Sequence, residues 1–117
     1  MDIEYPSFGT VVIDGTRYDQ DVIIDDGAVT IRDKAPSKAK KGQYGHTPLS
    51  VDEAIPWSKP RLVIGSGYSG RLPVLPEIAE EATRRQVDLV VLPTAQAVDL
   101  LAVGELTDTN AILHVTC

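Results

Sequence analysis

The sequence predicts an α/β fold: an N-terminal antiparallel β meander followed by a β-α-β-α-β parallel sheet unit, in one three-layer domain. Three observations carry this. Short apolar runs at residues 62–64, 89–92 and 111–115 are continuous rather than alternating, as in strands covered on both faces. Two stretches of helical spacing separate them. Ahead of them, Asp14-Gly15 and Asp25-Asp26-Gly27 punctuate β-branched segments, and such residues tolerate the positive φ of hairpin turns.

Taken in order, Thr10-Val11-Val12-Ile13 is a strand, Asp14-Gly15 its turn and residues 16–24 the return strand. Beyond the second turn, Ala28, Thr30 and Arg32 share one face of a strand and Val29 and Ile31 the other, a half-exposed pattern. Residues 1–33 thus form the meander, residues 34–50 a basic loop and residues 51–117 the α/β unit. At the loop's end Ser50-Val51-Asp52-Glu53 fits a capping box, with Pro56 limiting that helix to a turn or two.

Residues 61–76 organise the second half: a buried strand, the glycine-rich turn Gly65-Ser66-Gly67-Tyr68-Ser69-Gly70, then a helix opening at Pro76. Glu77 and Glu80 suit that helix's positive start, and Arg84 and Arg85 its end. The pairs Glu80–Arg84 and Glu81–Arg85 mark its wet face. Thr94 is placed to cap a second helix, which buries Val98, Leu101 and Ala102 and stops at Gly104. Thr107-Asp108-Thr109-Asn110 is read as a turn, and residues 111–115 close the sheet.

The 117 residues suffice for one domain that buries roughly two-thirds of its unfolded surface, with no metal or disulfide needed. Cys117 is the sole cysteine, the first residues Met-Asp-Ile-Glu-Tyr-Pro lack the basic and apolar regions of a signal peptide, and no apolar run approaches the roughly 20 residues of a membrane span. The expectation is a cytoplasmic protein without a membrane partner. A net charge of −6 argues against nucleic acid. Acids dominate residues 1–31 and 62–117, whereas residues 32–61 are basic around Lys34, Lys38, Lys40 and Lys41. That block reads as a solvated loop or as a flexible arm that docks on an acidic partner or a phosphate.

The glycine turn matches G-x-G-x-x-G, yet it is no dinucleotide fingerprint. Pro73 and Pro76 keep the helix from opening on the glycines, and Asp88 precedes the next strand instead of ending it. No cofactor is expected. What remains is geometric. Three parallel strands place their ends on one edge, where open α/β sheets bind ligands. Ser66, Gly67, Tyr68, Arg71, Thr94, Gln96, Thr116 and Cys117 would line that crevice, and two helix starts with Arg71 would suit a small anion.

His46 and His114 are the two histidines. His114 and Cys117 lie an odd number of residues apart, so on a regular strand they point to opposite faces and can pair only if the chain end bends. No carboxylate stands at metal-ligand spacing from either histidine, so no metal site is expected. Asp19, Asp21, Asp25 and Asp26 are read as solvent-facing.

Phe8-Gly9, Val12-Ile13-Asp14-Gly15, Tyr18-Asp19 and Asp21-Val22 together resemble the start of the adipogenesis-associated Mth-domain family. So do Leu62-Val63-Ile64-Gly65-Ser66-Gly67, the Leu92-Pro93-Thr94-x-x-Ala97 step and the ending Leu113-His114-x-Thr116-Cys117. The resemblance covers nearly the whole chain. It implies a compact three-layer domain with a β meander attached, and it brings no agreed catalytic residue. Eukaryotic relatives in that family look like non-enzymatic factors, one of which helps assemble mitochondrial respiratory complex I. The lysine-rich loop and the short connection after the last helix depart from many relatives. The expected function is a non-enzymatic binding or assembly module; the alternative is a small-molecule enzyme using Cys117 or Tyr68 in the crevice.

Overall fold

The computed structural model describes residues 1–40, 47–103 and 107–117, those at 39 and 40 by backbone alone. In chain order the strands are β1 (Ile3–Ser7), β2 (Thr10–Ile13), β3 (Thr16–Tyr18), β4 (Val22–Asp25), β5 (Ala28–Ile31), β6 (Arg61–Ser66), β7 (Asp88–Leu92) and β8 (Thr109–His114). Two α-helices, α1 (Pro76–Arg84) and α2 (Thr94–Val103), link β6 to β7 and β7 to β8.

The strands form two sheets. One has the order β5-β4-β8-β6-β7, the other β1-β2-β3. β6 runs parallel to both β7 and β8, so three strand ends do share one edge. β4 joins β8 antiparallel, pairing Val22 with Leu113, and β5 joins β4. Leu62, Ile64 and Ile112 face α1 through Ile78, together with Leu49 and Leu72. Val63, Ala111, Leu113, Val22 and Ile24 face the opposite way, against Ala97, Val98 and Leu101 of α2 and Ile3, Val11 and Ile13 of the small sheet. α1, the large sheet, and α2 with the small sheet are the three layers. Cover on both faces explains why β6 and β8 lack polar alternation.

The meander is divided, contrary to the sequence reading. Its long return strand ends at Tyr18, and β4 starts afresh at Val22 in the other sheet. Asp21 causes the break. It is 2% exposed, with its carbonyl taken by the Arg32 amide at 2.9 Å and its carboxylate by the Val115 amide at 3.0 Å. A ladder running straight through would leave that charge nowhere to go. β1 was not foreseen either; Pro6 and a bulge between Glu4 and Ser7 confine it to an edge. The hairpin turns are as expected, with positive φ at Asp14 (49°) and Gly15 (82°).

Five further expectations fail locally. Residues 50–53 form no helix: the Ser50 hydroxyl meets Ser37 at 2.7 Å and Glu53 turns to Arg32. A 3₁₀ helix, Ala35–Lys40, occupies part of the expected loop. Ala102 is exposed and Ala97 takes its place in the buried stripe of α2. Thr109 and Asn110 belong to β8 and are buried, Asn110 donating to the Pro56 carbonyl and Ser58 hydroxyl at 3.0 and 2.9 Å. On α1 the expected Glu81–Arg85 pair forms, whereas Arg84 turns to Glu81 instead of Glu80. Gly104 lies outside the described residues.

Candidate functional site: the rim at the strand tips

The glycine turn after β6 folds over the last residues of the chain. The Tyr68 amide donates to the Thr116 carbonyl at 2.7 Å, and the Arg71 and Ser69 amides reach the Cys117 carbonyl at 3.0 and 3.4 Å. Gly67 makes this approach geometrically feasible. Its φ is +108°, and a Cβ there would lie 2.2 Å from the Cys117 carbonyl carbon. The amides that would have cradled an anion are occupied by the chain's own tail.

Thr94 ties the rim together in a role different from helix capping. Fully buried, its hydroxyl donates to the His114 carbonyl at 2.5 Å and accepts the Gly67 amide at 2.8 Å, while its own amide donates to the Gly67 carbonyl at 2.9 Å. One side chain thereby bolts the end of β6 to the end of β8. Ser66, also buried, donates to the Leu92 carbonyl at 3.1 Å and fastens β6 to β7. Of the residues expected in the crevice, Ser66, Gly67, Tyr68, Arg71, Thr94, Thr116 and Cys117 converge through these bonds. Gln96 stands exposed on the first turn of α2 and makes none of them.

Outside this bolted backbone lies an aromatic surface. Tyr68 is 61% exposed and packs edge-to-face on Phe8, itself 54% exposed, at 5.9 Å between ring centroids. Tyr5 lies tilted against Tyr68 at 6.5 Å and donates to the Val115 carbonyl at 2.6 Å, which also accepts the Gly9 amide at 2.7 Å. Burial pushes the Tyr5 phenol up, partly offset by the Gly9 amide, with Tyr68, Asp21 and Cys117 adding to the rise. Arg71 is exposed beside the turn, and Cys117 is half-buried with a free thiol.

Behind the rim runs a buried polar chain that sequence reasoning missed. Arg32 grips Glu53 through Nε and one Nη at 2.7 and 2.9 Å, donates from the other Nη to Asp21 at 2.9 Å, and reaches the Pro48 carbonyl at 3.1 Å. Desolvation works against the Arg32 charge, yet Glu53 and then Asp21 raise its pKa above the ordinary value. Asp21 meets His114 Nδ1 at 2.7 Å, and His114 Nε2 faces the Thr116 hydroxyl at 3.3 Å. Burial opposes ionisation of Asp21, but the bond and charge of His114, the Val115 amide and Arg32 outweigh it and bring its pKa down to about 2. An ionised carboxylate only accepts, so Nδ1 carries the proton in that bond. Asp21 therefore corrects the solvent-facing reading, and His114 is a packed residue of β8, 7% exposed.

The basic segment stands apart. Ser37 is anchored inside by Glu53 at 2.5 Å, which leaves Lys38 exposed and Lys34 half-buried. The side chain of Lys40, and Lys41 and His46 altogether, lie outside the described residues. An open cleft of about 440 Å³ lies elsewhere, lined by Met1, Ile3, Glu4, Val12 and Ala102, and shares no group with the rim. Among the described residues no group of three or more His, Cys, Asp or Glu could hold a metal ion, and no helix is long and apolar enough to cross a membrane.

No protein-family model and no curated protein matches the chain. Solved structures do. The chain is 26% identical to a protein described as MT938, covering 98% of this chain and 97% of that one with a TM-score of 0.68. An outer membrane protein from Bartonella henselae, 13% identical with a TM-score of 0.63 over 96% of this chain and 93% of its own, shares the fold alone. The conserved hypothetical protein PH1505 from Pyrococcus horikoshii OT3 is 30% identical and superposes with a TM-score of 0.79 over the whole of both chains. On that identity and full mutual coverage, the chain belongs to the same family as PH1505.

Proposed function

We propose that the chain is a non-enzymatic binding module that docks an acidic segment of a protein partner on the aromatic rim. The observation that supports this is the exposed edge-to-face pair of Phe8 and Tyr68, carried on a backbone bolted by Thr94 and the tail. Aromatic side chains on fixed backbone offer a large contact area with little ordering entropy left to lose. Arg71 and the positive starts of α1 and α2 lie at the same edge of a chain whose net charge is −6, so carboxylates on the partner are the complement. The lysines at 34 and 38 offer a separate positive surface to the same partner. An assembly role of the kind the Mth-domain resemblance implies suits such a module. A small anion would have to compete with Thr116 and Cys117 for the turn's amides.

The test compares wild-type bait with F8S/Y68S and R71E baits, followed by calorimetry on the purified partner. The double variant should lose at least about tenfold in affinity while keeping its melting temperature. Equal affinity of the double variant overturns the reading.

One observation favours an enzyme instead: the Tyr5 and Tyr68 phenols and the Cys117 thiol lie at this rim, with the Asp21-oriented His114 buried behind it. Rapid alkylation of Cys117 by iodoacetamide at neutral pH would support a small-molecule enzyme using Cys117 or Tyr68; an ordinary thiol rate discards it.

A further inference from the structure

β7 closes one side of the large sheet and is hydrogen-bonded to β6 alone. Among the described residues its outer edge has no strand beside it. Edge strands in proteins are normally blunted by a lysine, a proline, a bulge or short length. The small sheet follows that rule: β1 carries Pro6 and a bulge, and β3 is three residues long. β7 does not. Asp88-Leu89-Val90-Val91-Leu92 pairs with β6 in unbroken register and holds four consecutive apolar residues. None of the four is buried, and Val91 is 42% exposed, whereas β6 is buried from its second residue onward. This is an interior type of strand with one side left open. The opposite edge differs in composition: β5 is four residues long and exposes Ala28 and Thr30 alongside Ile31, so its apolar run is broken by small and polar residues.

We propose that β7 pairs antiparallel with β7 of a second copy across a two-fold axis, joining two large sheets into one. Self-pairing is what an identical open edge permits by symmetry. Charge selects it too. An axis through Val90 sets Asp88 opposite Leu92 of the other copy, two residues from Thr94, where α2 of that copy begins. Asp88 is 74% exposed on its side chain and has Arg61 only at 4.0 Å. A helix start is a favourable place for such a carboxylate, and the two-fold repeats the contact at the other end. The copies thus meet apolar to apolar in the middle and negative to positive at both ends.

Sedimentation equilibrium over a concentration series up to about 1 mM tests this with wild type, V91K and T30K, each checked for folding by circular dichroism. Wild type and T30K should rise to twice the monomer mass while V91K stays at the monomer mass. The rim variant F8S/Y68S should still dimerise, which separates this result from the binding reading. Hydrogen exchange on wild type needs no variant: amides of residues 88–92 should slow with rising concentration. A wild type that remains monomeric, a V91K that dimerises equally well, or a dimer lost in T30K overturns the proposal.

Discussion

Arg32 and Glu53 meet as a two-pronged pair inside the protein, Nε to Oε1 at 2.7 Å and an Nη to Oε2 at 2.9 Å, with side chains only 1% and 3% exposed. The pair holds the far end of the 33–53 segment against β5, and Asp21 completes it from the strand side. Cutting one partner from such a cluster strands the other charges without water. R32A should therefore lose about 3–5 kcal/mol in urea denaturation. R32K keeps the charge but not the fork and should recover only part of the loss. A loss under about 1 kcal/mol for R32A would show the network to be incidental.

Acid should act through Asp21. Its pKa is depressed from 3.8 to about 2 on folding, so its contribution is complete above the unfolded value and disappears as pH falls through the folded one. Between pH about 5 and 2 the wild type should lose about 2 kcal/mol more than D21N, whose profile lacks this group. Parallel profiles for the two proteins would remove Asp21 from the explanation.

The two glycines of the turn should respond unequally to alanine. At Gly67 a methyl group would meet the Cys117 backbone at 2.2 Å on a φ of +108°, whereas at Gly70 the nearest atoms are 3.6 Å away on a φ of +68°. G70A should cost about 1 kcal/mol, the ordinary left-handed penalty. G67A should cost more than about 2 kcal/mol and release the tail, seen as faster exchange of the Tyr68 amide.

Thr94 offers a test of the bolt between strand ends. T94V keeps the volume but leaves the Gly67 amide and His114 carbonyl unpaired in a buried place, for a loss of about 2–3 kcal/mol. T94S keeps the hydroxyl and should stay within about 1 kcal/mol of wild type by thermal denaturation.

Those four residues divide by how visible they were in the sequence. Gly67 stands out in the glycine-rich turn after an apolar strand and in the crevice expected there, and what that turn meets is the tail. Thr94 was noticed for capping, a local use of its hydroxyl, and the structure spends that hydroxyl on two other strands. Arg32 and Asp21 gave no signal. In a strand pattern both count as polar positions, and polar positions default to solvent.

What the sequence by itself determined is the set of elements whose cause is local. Continuous apolar runs made β6, β7 and β8, Asp-Gly pairs made the hairpins, and Pro76 opened α1, because each depends on backbone preference and burial within a few neighbours. Only the tertiary structure decided that the meander is split between two sheets, that Asp21, Arg32, Glu53 and His114 share one interior, and that the amides of the glycine turn bond to residues 116–117. These depend on contacts across many residues of chain, such as Asp21 with His114, where a carboxylate is stable inside only because distant donors arrive together. Spacing along a sequence carries no record of that meeting.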